Sequence, residues 1–176
     1  MQNVLIVSDI YGFTDNLVES VGLGGINRRC LQLFDICGRP DLRGEDLHDY
    51  IFNRDGMRHA VRTLCKTEVS SCIGIGFSAG GTALWNAAKE GFKLDALICV
   101  SSTRLRFEEF PLDIPNIVFW GELDPCRPEE RWHTTVPRLS KSYSGKQHDF
   151  YRNDMLVCES PLRVDIENFI KNWTLK

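Results

Sequence analysis

Apolar residues along the chain follow two kinds of pattern. Continuous apolar runs, several of them rich in β-branched residues, occupy residues 4–7, 30–36, 72–75, 94–101, 117–120 and, more weakly, 140–144. Runs of this kind are typical of strands that are covered on both faces. Because they alternate with segments of helical character, they predict an α/β fold, a three-layer α/β/α sandwich around a mostly parallel sheet of about six strands.

Helical patterns fill most of the chain between these runs. We predict helices at residues 15–22, 47–66 with a break near 53–56, 79–91, 128–139 and from 161 onward. The apolar face of the last helix consists of Leu162, Ile166, Phe169, Ile170 and Trp173. Residues 39–46 are interpreted as a polar loop, and residues 22–25 as a plain loop because they lack the lysine of a phosphate-binding loop. Without a linker or repeat, residues 1–176 are expected to form one domain.

The segment from Cys72 to Gly81 combines a predicted strand, a tight turn and a serine. Its centre, Gly76-Phe77-Ser78-Ala79-Gly80, matches the pattern G-x-S-x-G between a strand and a helix. A chain that changes from strand to helix within one residue needs glycines on either side, and it exposes the serine at the carboxyl end of the strand. The helix N–H groups below would then stabilise an oxyanion. A plain strand–helix joint with glycines for packing is the alternative.

Composition narrows the classes of function. A net charge of −3 and a pI of about 5.8 give no basic footprint for nucleic acids and no attraction to anionic lipid. No apolar run is long enough to cross a bilayer, and the first ten residues have the pattern of a strand and not of a signal peptide. Seven cysteines without a C-x-x-C pair indicate reduced thiols in the cytoplasm, with Cys72 and Cys99 in the core. Because no cluster has ligand spacing, neither a metal nor a cofactor is predicted.

A serine nucleophile needs a base and an orienting carboxylate. His148 follows the last predicted strand and is the candidate base, because its loop lies at the same sheet edge as Ser78. Asp124 follows the strand at 117–120 and is the candidate acid, with a helix N-cap as its structural alternative. Asp149 is a rival acid, but as the immediate neighbour of the base it points away from it. The chain order Ser78, Asp124, His148 is the order found in α/β-hydrolases.

The other three histidines are weaker candidates for the base. His48 and His59 precede the serine, which is the wrong place in that order, and His133 is expected on the surface of a helix.

Four motifs together resemble the dienelactone hydrolase family, a branch of the α/β-hydrolases. Asp9-Ile10-Tyr11-Gly12 is similar to the family's E-x-F-G turn, and residues 76–81 are similar to its G-F/Y-C-x-G-G elbow. Residues 121–125 match the family's G-x-x-D-P acid loop, and His148-Asp149-Phe150 resembles its H-G-F. Compared with the family, the chain begins at the third strand and has serine in place of cysteine. We therefore expect a minimal α/β-hydrolase fold.

The resemblance implies further site residues. The backbone N–H groups of Ile10 and Ala79 would form the oxyanion hole, where loss of one donor costs about 3–4 kcal/mol of transition-state stabilisation. Asp9, which replaces the family's glutamate, would either polarise the site or cap the following turn.

Several side chains near the predicted site are candidates for substrate contact. Aromatic residues that would wall a pocket, or belong to the core, are Tyr11, Phe13, Phe77 and Trp120. Arg104 and Arg106 follow a strand end and would bind an anion, with a solvated charged loop as the alternative.

The residues together predict a serine hydrolase acting on a small-molecule ester or thioester. An acyl-thioesterase or amidase on the same triad, and a catalytically silent hydrolase-fold binding protein, are the alternatives. No nucleic-acid or membrane partner is predicted.

Overall fold

Six strands form one parallel sheet in a computed structural model that describes residues 3–13 and 26–174, with side chains to residue 172. The strands are β1 (Asn3–Val7), β2 (Asn27–Leu31), β3 (Cys72–Phe77), β4 (Ala96–Val100), β5 (Asn116–Gly121) and β6 (Leu139–Tyr143). Their order across the sheet is β2-β1-β3-β4-β5-β6. The predicted α/β architecture of about six strands is confirmed.

The order of the strands reverses between β1 and β3. The chain runs from β1 outward to β2 and then returns to the other side of β1, so β1 and β3 are neighbours. In open parallel sheets the crevice beyond the carboxyl ends of two such strands is where ligands bind. Ile10 follows β1 there and Ser78 follows β3.

Helices cover both faces of the sheet. They are α1 (Leu33–Ile36), α2 (Gly44–Asn53), α3 (Gly56–Cys65), α4 (Ala79–Lys89), α5 (Glu130–Thr135), α6 (Tyr151–Asp154) and α7 (Pro161–Thr174), with a 3₁₀ helix at Thr103–Phe107. None of the helices within residues 3–13 and 26–174 has the length and apolar character that a membrane span requires. The predicted helix at 15–22 and loop at 22–25 lie outside the described residues, as does the side chain of Trp173.

Two apolar layers result from the alternation of side chains along the strands. The layer on one face joins alternate strand residues to α1–α5, with Leu5, Leu97 and Trp85 fully buried. The layer on the other face joins the remaining strand residues to α6 and α7, where Leu162, Ile166 and Ile170 are buried. The predicted apolar face of the last helix packs here, with Phe169 at its margin.

Three predicted elements are wrong in type or length. The run at 30–36 is not one strand: β2 ends at Leu31, and Leu33–Ile36 forms a helical turn whose apolar residues are buried, a distinction that an apolar run alone does not make. The predicted loop at 39–46 ends earlier, because α2 begins at Gly44. The helix predicted at 128–139 is confined to Glu130–Thr135, because Pro137 has no N–H group to continue the helical hydrogen bonds.

Candidate active site

Ser78 lies on a tight turn between β3 and α4. Its backbone has φ of 50° and ψ of −119°, a region that non-glycine residues rarely adopt. Its N–H donates a 2.7 Å hydrogen bond to the carbonyl of Val100 on β4, which holds the strained residue against the sheet. Strain of this kind persists only where the surroundings impose it, and it is concentrated at functional sites.

Two glycines allow this turn to close. A Cβ on Gly76 would lie 2.3 Å from the Cα of Gly81, and a Cβ on Gly80 would lie 2.2 Å from the carbonyl oxygen of Ser8. Any side chain at either position would therefore push α4 away from β3 or from β1. The glycine pattern that drew attention to Ser78 in the sequence thus has a steric cause.

His148 connects Ser78 to Asp124. Its Nε2 lies 3.2 Å from the Ser78 Oγ, and its Nδ1 lies 2.7 Å from Oδ2 of Asp124. Because a carboxylate only accepts hydrogen bonds, the Nδ1 carries the proton and the Nε2 lone pair is available to the serine hydroxyl. The Asp124 side chain is almost fully buried, whereas the imidazole is 39% exposed. The structure thus brings together the three side chains that the sequence singled out.

The loops that carry Asp124 and His148 are bound to each other. A Cβ on Gly121, the last residue of β5, would lie 2.2 Å from the carbonyl oxygen of Gln147, so only glycine permits this approach. The N–H of Leu123 donates to the carbonyl of Lys146 over 2.9 Å. Oδ1 of Asp124 accepts the N–H of Cys126 over 2.9 Å, which fixes the carboxylate plane. Asp124 therefore caps this local turn and not the following helix, which was the structural alternative predicted for it.

Ile10 and Ala79 border the same cavity as Ser78 and His148. Ala79 is the first residue of α4, where N–H groups have no partner within the helix. The carbonyl of Ile10 accepts a 3.0 Å hydrogen bond from the N–H of Gly44, which ties the loop after β1 to the start of α2. Both residues therefore lie beside Ser78 and His148, and their role as an oxyanion hole stays a prediction.

Asp9 caps the turn that presents Ile10. Oδ1 of Asp9 accepts the N–H groups of Tyr11 and Gly12 over 2.9 and 3.1 Å. Its Oδ2 accepts the Tyr151 hydroxyl over 2.6 Å and pairs with the Arg152 guanidinium. Desolvation and the adjacent Asp9 raise the pKa of Tyr151 far above its ordinary value, so the phenol stays protonated and donating. Of the two predicted roles for Asp9, this geometry corresponds to the cap.

A small cavity of about 100 Å³ opens beside Ser78. Its lining residues are Ile10, His48, Phe52, Ser78, Ala79, Thr82, Thr103, Arg104 and His148. Larger grooves of about 350 and 610 Å³ run along α3, and the second reaches Lys89 at the end of α4 remote from Ser78. The cavity that contains the serine is therefore not the largest concave feature, but it alone among these three contains the Ser78–His148 pair.

Of the two predicted roles for the aromatic residues, pocket wall or core, Phe77 and Trp120 have the second. Both side chains are fully buried, one in each apolar layer. The Phe77 ring packs against Tyr151 and Phe13, and the Trp120 ring packs against Trp132. Phe77 immediately precedes the serine, so strand alternation turns it to the opposite face of the sheet. Tyr11 is 58% exposed, and the Arg152 guanidinium stacks on its ring.

The cavity wall includes residues that sequence reasoning missed. His48 and Phe52 lie one turn apart on α2, their rings 4.8 Å apart, and no motif marks them. Burial, and next the nearby Arg104, lower the pKa of His48, which favours a neutral imidazole. Arg104 lines the cavity as predicted, whereas Arg106 donates to the carbonyl of Thr103 and stacks on Phe107.

His133 is not the surface residue that was expected. Its ring is half-buried against Trp120 and Trp132, its Nδ1 lies 2.7 Å from the Ser140 Oγ, and its Nε2 lies 3.1 Å from the Pro128 carbonyl. Because that carbonyl only accepts, Nε2 carries the proton and Nδ1 accepts from Ser140. His133 is thus a structural link between α5 and β6.

Two of the cysteines are thiols of the apolar core. Burial raises the pKa of Cys72 to about 11 and that of Cys99 further, so both remain protonated core residues as predicted. All seven cysteines are free.

The chain resembles known proteins in three-dimensional structure but not in sequence. No protein-family model and no curated protein sequence matches it. A predicted CIB-like hydrolase from Thermoplasma acidophilum superposes with a TM-score of 0.69 at 18% identity, over 97% of this chain and 86% of the other. The chain has the α/β-hydrolase fold.

Two other structures with the α/β-hydrolase fold are similar over nearly the whole chain. A dienelactone hydrolase-like promiscuous phosphotriesterase from metagenomic libraries has a TM-score of 0.64 at 13% identity, covering 99% of this chain and 85% of its own. The Vlm2 thioesterase domain has a TM-score of 0.56 at 12% identity, over 97% of this chain and 91% of that domain. At identities this low, the structural superpositions establish a shared fold and not a shared activity. The predicted likeness to dienelactone hydrolases is confirmed at the level of the fold.

Proposed function

We propose that this protein is a serine hydrolase that cleaves a small carboxylic ester. The observation that supports the proposal is the continuous path from Ser78 Oγ through His148 to Asp124, with separations of 3.2 and 2.7 Å. A serine hydroxyl is a poor nucleophile until a base accepts its proton, and this path supplies that base in the required tautomer.

The reaction would proceed through an acyl-enzyme. Ser78 Oγ attacks the ester carbonyl while Nε2 of His148 takes its proton, and Asp124 stabilises the imidazolium. The N–H groups of Ile10 and Ala79 stabilise the oxyanion of the tetrahedral intermediate. The imidazolium then gives its proton to the departing alcohol. A water molecule, deprotonated by His148, releases the acid and restores the serine.

A thioester is the second candidate substrate. Acyl transfer to Ser78 is the same for both, and a thioesterase domain is among the proteins that share this fold. The volume of the cavity, about 100 Å³, favours a short chain in either case, because sites for drug-sized ligands span roughly 300–1,000 Å³.

A substrate panel with an active-site variant tests the proposal. The panel pairs oxygen and thio esters of acetate, butyrate and octanoate, assayed with the wild-type protein and with Ser78→Ala. We expect turnover of short esters by the wild type and its loss in the variant. Ser70→Ala, which changes an exposed serine before the amino end of β3, is the matched control and should retain full activity. Equal turnover by Ser78→Ala and the wild type, or none by either, would contradict the proposal.

A further inference from the structure

Two phenylalanine side chains are exposed on the segment that follows β4, and one of them adjoins the cavity beside Ser78. Phe107 closes the 3₁₀ helix and is 63% exposed, and Phe110 is 74% exposed. Side chains three residues apart eclipse each other in a 3₁₀ helix, so Phe107 shares a face with Arg104, which lines the cavity. At the rise of a 3₁₀ helix, Phe107 lies about 6 Å further along the axis. Its ring is therefore at the outer margin of the cavity.

A row of planar groups joins this ring to the cavity. The Phe52 ring belongs to the cavity wall, and the Arg104 guanidinium stacks on it at 4.4 Å. The same guanidinium lies 5.9 Å from the centre of the Phe107 ring. The Arg106 guanidinium lies 4.3 Å from that centre, with its Nη1 bound to the carbonyl of Thr103. Because guanidinium groups are attracted to the faces of aromatic rings, these contacts fix the orientation of the Phe107 ring.

The backbone on either side of Phe107 is anchored as well. Leu105 is fully buried in the apolar layer beneath the 3₁₀ helix. The carbonyl of Glu108 accepts the indole N–H of Trp132 over 3.1 Å, and the Glu108 carboxylate pairs with Lys89 over 2.6 Å. An apolar side chain that is held in place before a ligand arrives loses little entropy when the ligand covers it. Phe107 is therefore a preorganised apolar contact.

The size of the cavity leaves part of a substrate outside it. A volume of about 100 Å³ holds the reacting ester group and a short chain, since sites that enclose drug-sized ligands span roughly 300–1,000 Å³. A larger substituent therefore passes over the margin of the cavity, where the row from Phe52 through Arg104 to Phe107 presents rings and a guanidinium plane. Single exposed apolar side chains are common on protein surfaces. The continuity of Phe107 with the cavity wall is what distinguishes it.

We infer that Phe107 is a specificity-determining residue that contacts an aromatic part of the substrate, and that the protein prefers esters with an aryl ring about three bonds from the reacting carbonyl. The inference rests on the proposed hydrolase function, since the row of planar groups begins in the cavity that contains Ser78. It adds a substrate class and the residue that selects it, neither of which follows from the Ser78–His148–Asp124 arrangement.

Two pairs of esters of matched size test the preference. Benzyl acetate against cyclohexylmethyl acetate places the ring on the alcohol side, and ethyl 3-phenylpropanoate against ethyl 3-cyclohexylpropanoate places it on the acyl side. Burial alone would favour the cyclohexyl member, which has at least as much apolar surface, whereas stacking favours the phenyl member. After division by the alkaline hydrolysis rate of each ester, kcat/KM should be roughly 2- to 10-fold higher for the phenyl member of at least one pair. Equal or lower values for the phenyl member in both pairs would overturn the inference while leaving the hydrolase proposal intact.

Variants of Phe107 assign the preference to this side chain. Phe107→Leu keeps an apolar group but removes the ring, so it should raise KM for the phenyl ester and leave the cyclohexyl ester unaffected. The kcat should change little, because the contact is the same in the ground state and the transition state. Phe107→Trp should retain the preference, since indole also stacks on guanidinium groups.

Phe110→Leu is the matched control on the same segment. Phe110 is as exposed as Phe107, but its ring contacts no other ring and no cation within residues 3–13 and 26–172. This variant should keep the full preference. A preference that survives Phe107→Leu, or that disappears equally in Phe110→Leu, would overturn the assignment to Phe107.

Labelling by a fluorophosphonate separates failure of this inference from failure of the proposed function. If the wild type is labelled at Ser78 but hydrolyses none of the four esters, the inferred substrate class is wrong and the proposed function remains. If folded wild-type protein is neither labelled nor active, the proposed function fails and the inference fails with it.

Discussion

At the scale of single residues, the proposed hydrolase site depends on one imidazole held in one tautomer. Asp124 holds His148 through Nδ1, and Oδ1 of Asp124 is itself fixed by the N–H of Cys126. Asp149 adjoins the base in sequence, but its side chain is exposed, and its backbone carbonyl caps the turn to Arg152. Of the two carboxylates considered from the sequence, geometry connects only Asp124 to the histidine.

Asp124→Asn is therefore expected to reduce kcat about 10⁴-fold, because an amide donating to the histidine favours the wrong tautomer. The fold should persist, since the amide oxygen can still accept from Cys126. The measurement is ester turnover with the melting temperature recorded in parallel. Asp149→Asn is the matched control, and a large loss there with normal turnover in Asp124→Asn would reverse the assignment.

At the scale of elements, the turns after β5 and β6 act as one unit. Gly121 admits the backbone of Gln147 at a distance that no Cβ allows, and Leu123 binds Lys146. Motif reasoning found Asp124 and His148 because both follow strands at the same sheet edge. It did not find His48 and Phe52, because they reach the cavity only through the packing of α2 against the loop after β1.

Gly121→Ala should displace the loop that carries His148 and lower kcat by at least tenfold, since a clash with backbone cannot be relieved by a rotamer change. Turnover and circular dichroism together separate displacement from unfolding. Gly91→Ala is the comparison: Gly91 has φ of 93° and open space at its Cβ position, so alanine there adds strain remote from the site. Loss of stability without loss of kcat is expected in that variant, and equal turnover in both variants would contradict the role of Gly121.

His133, which links α5 to β6, should make the free energy of unfolding depend on pH. Burial, and next Arg127, lower the pKa of His133 below its ordinary value of 6.5, so the unfolded chain binds the proton more readily than the folded one. This contribution is complete above pH 6.5 and is lost as pH falls toward the lowered value. We expect His133→Gln to show a smaller decrease in melting temperature between pH 7.5 and pH 5 than the wild type. An equal decrease in melting temperature in both proteins would contradict this contribution of His133.

At the scale of the whole molecule, the two apolar layers are joined through the shared sheet. Continuous apolar runs predicted β1 and β3–β5 well, since buried parallel strands need no polar face. The edge strand β2 was placed too late in the chain, because its residues Asn27, Arg28 and Arg29 are exposed and carry no apolar signal. For Trp120 and Phe77 the sequence left pocket wall and core open, because it gives the strand end but not which layer a side chain enters.

Residues 1–176 are predicted to unfold as one domain in a single cooperative transition. Ile166→Ala, which empties a fully buried position between α7 and the sheet, should lower the free energy of unfolding by roughly 2–5 kcal/mol. Val164→Ala on the exposed side of the same helix should change it by no more than about 0.5 kcal/mol. Chemical denaturation followed by two probes measures both, and non-coincident transitions would contradict the single domain.

Covalent labelling by a fluorophosphonate tests the central claim most directly. The account predicts one adduct per wild-type chain, located on Ser78 by peptide mapping, and little or no labelling in His148→Ala, where the base is missing. Folded wild-type protein that acquires no adduct on Ser78, or His148→Ala that labels at the wild-type rate, would contradict it.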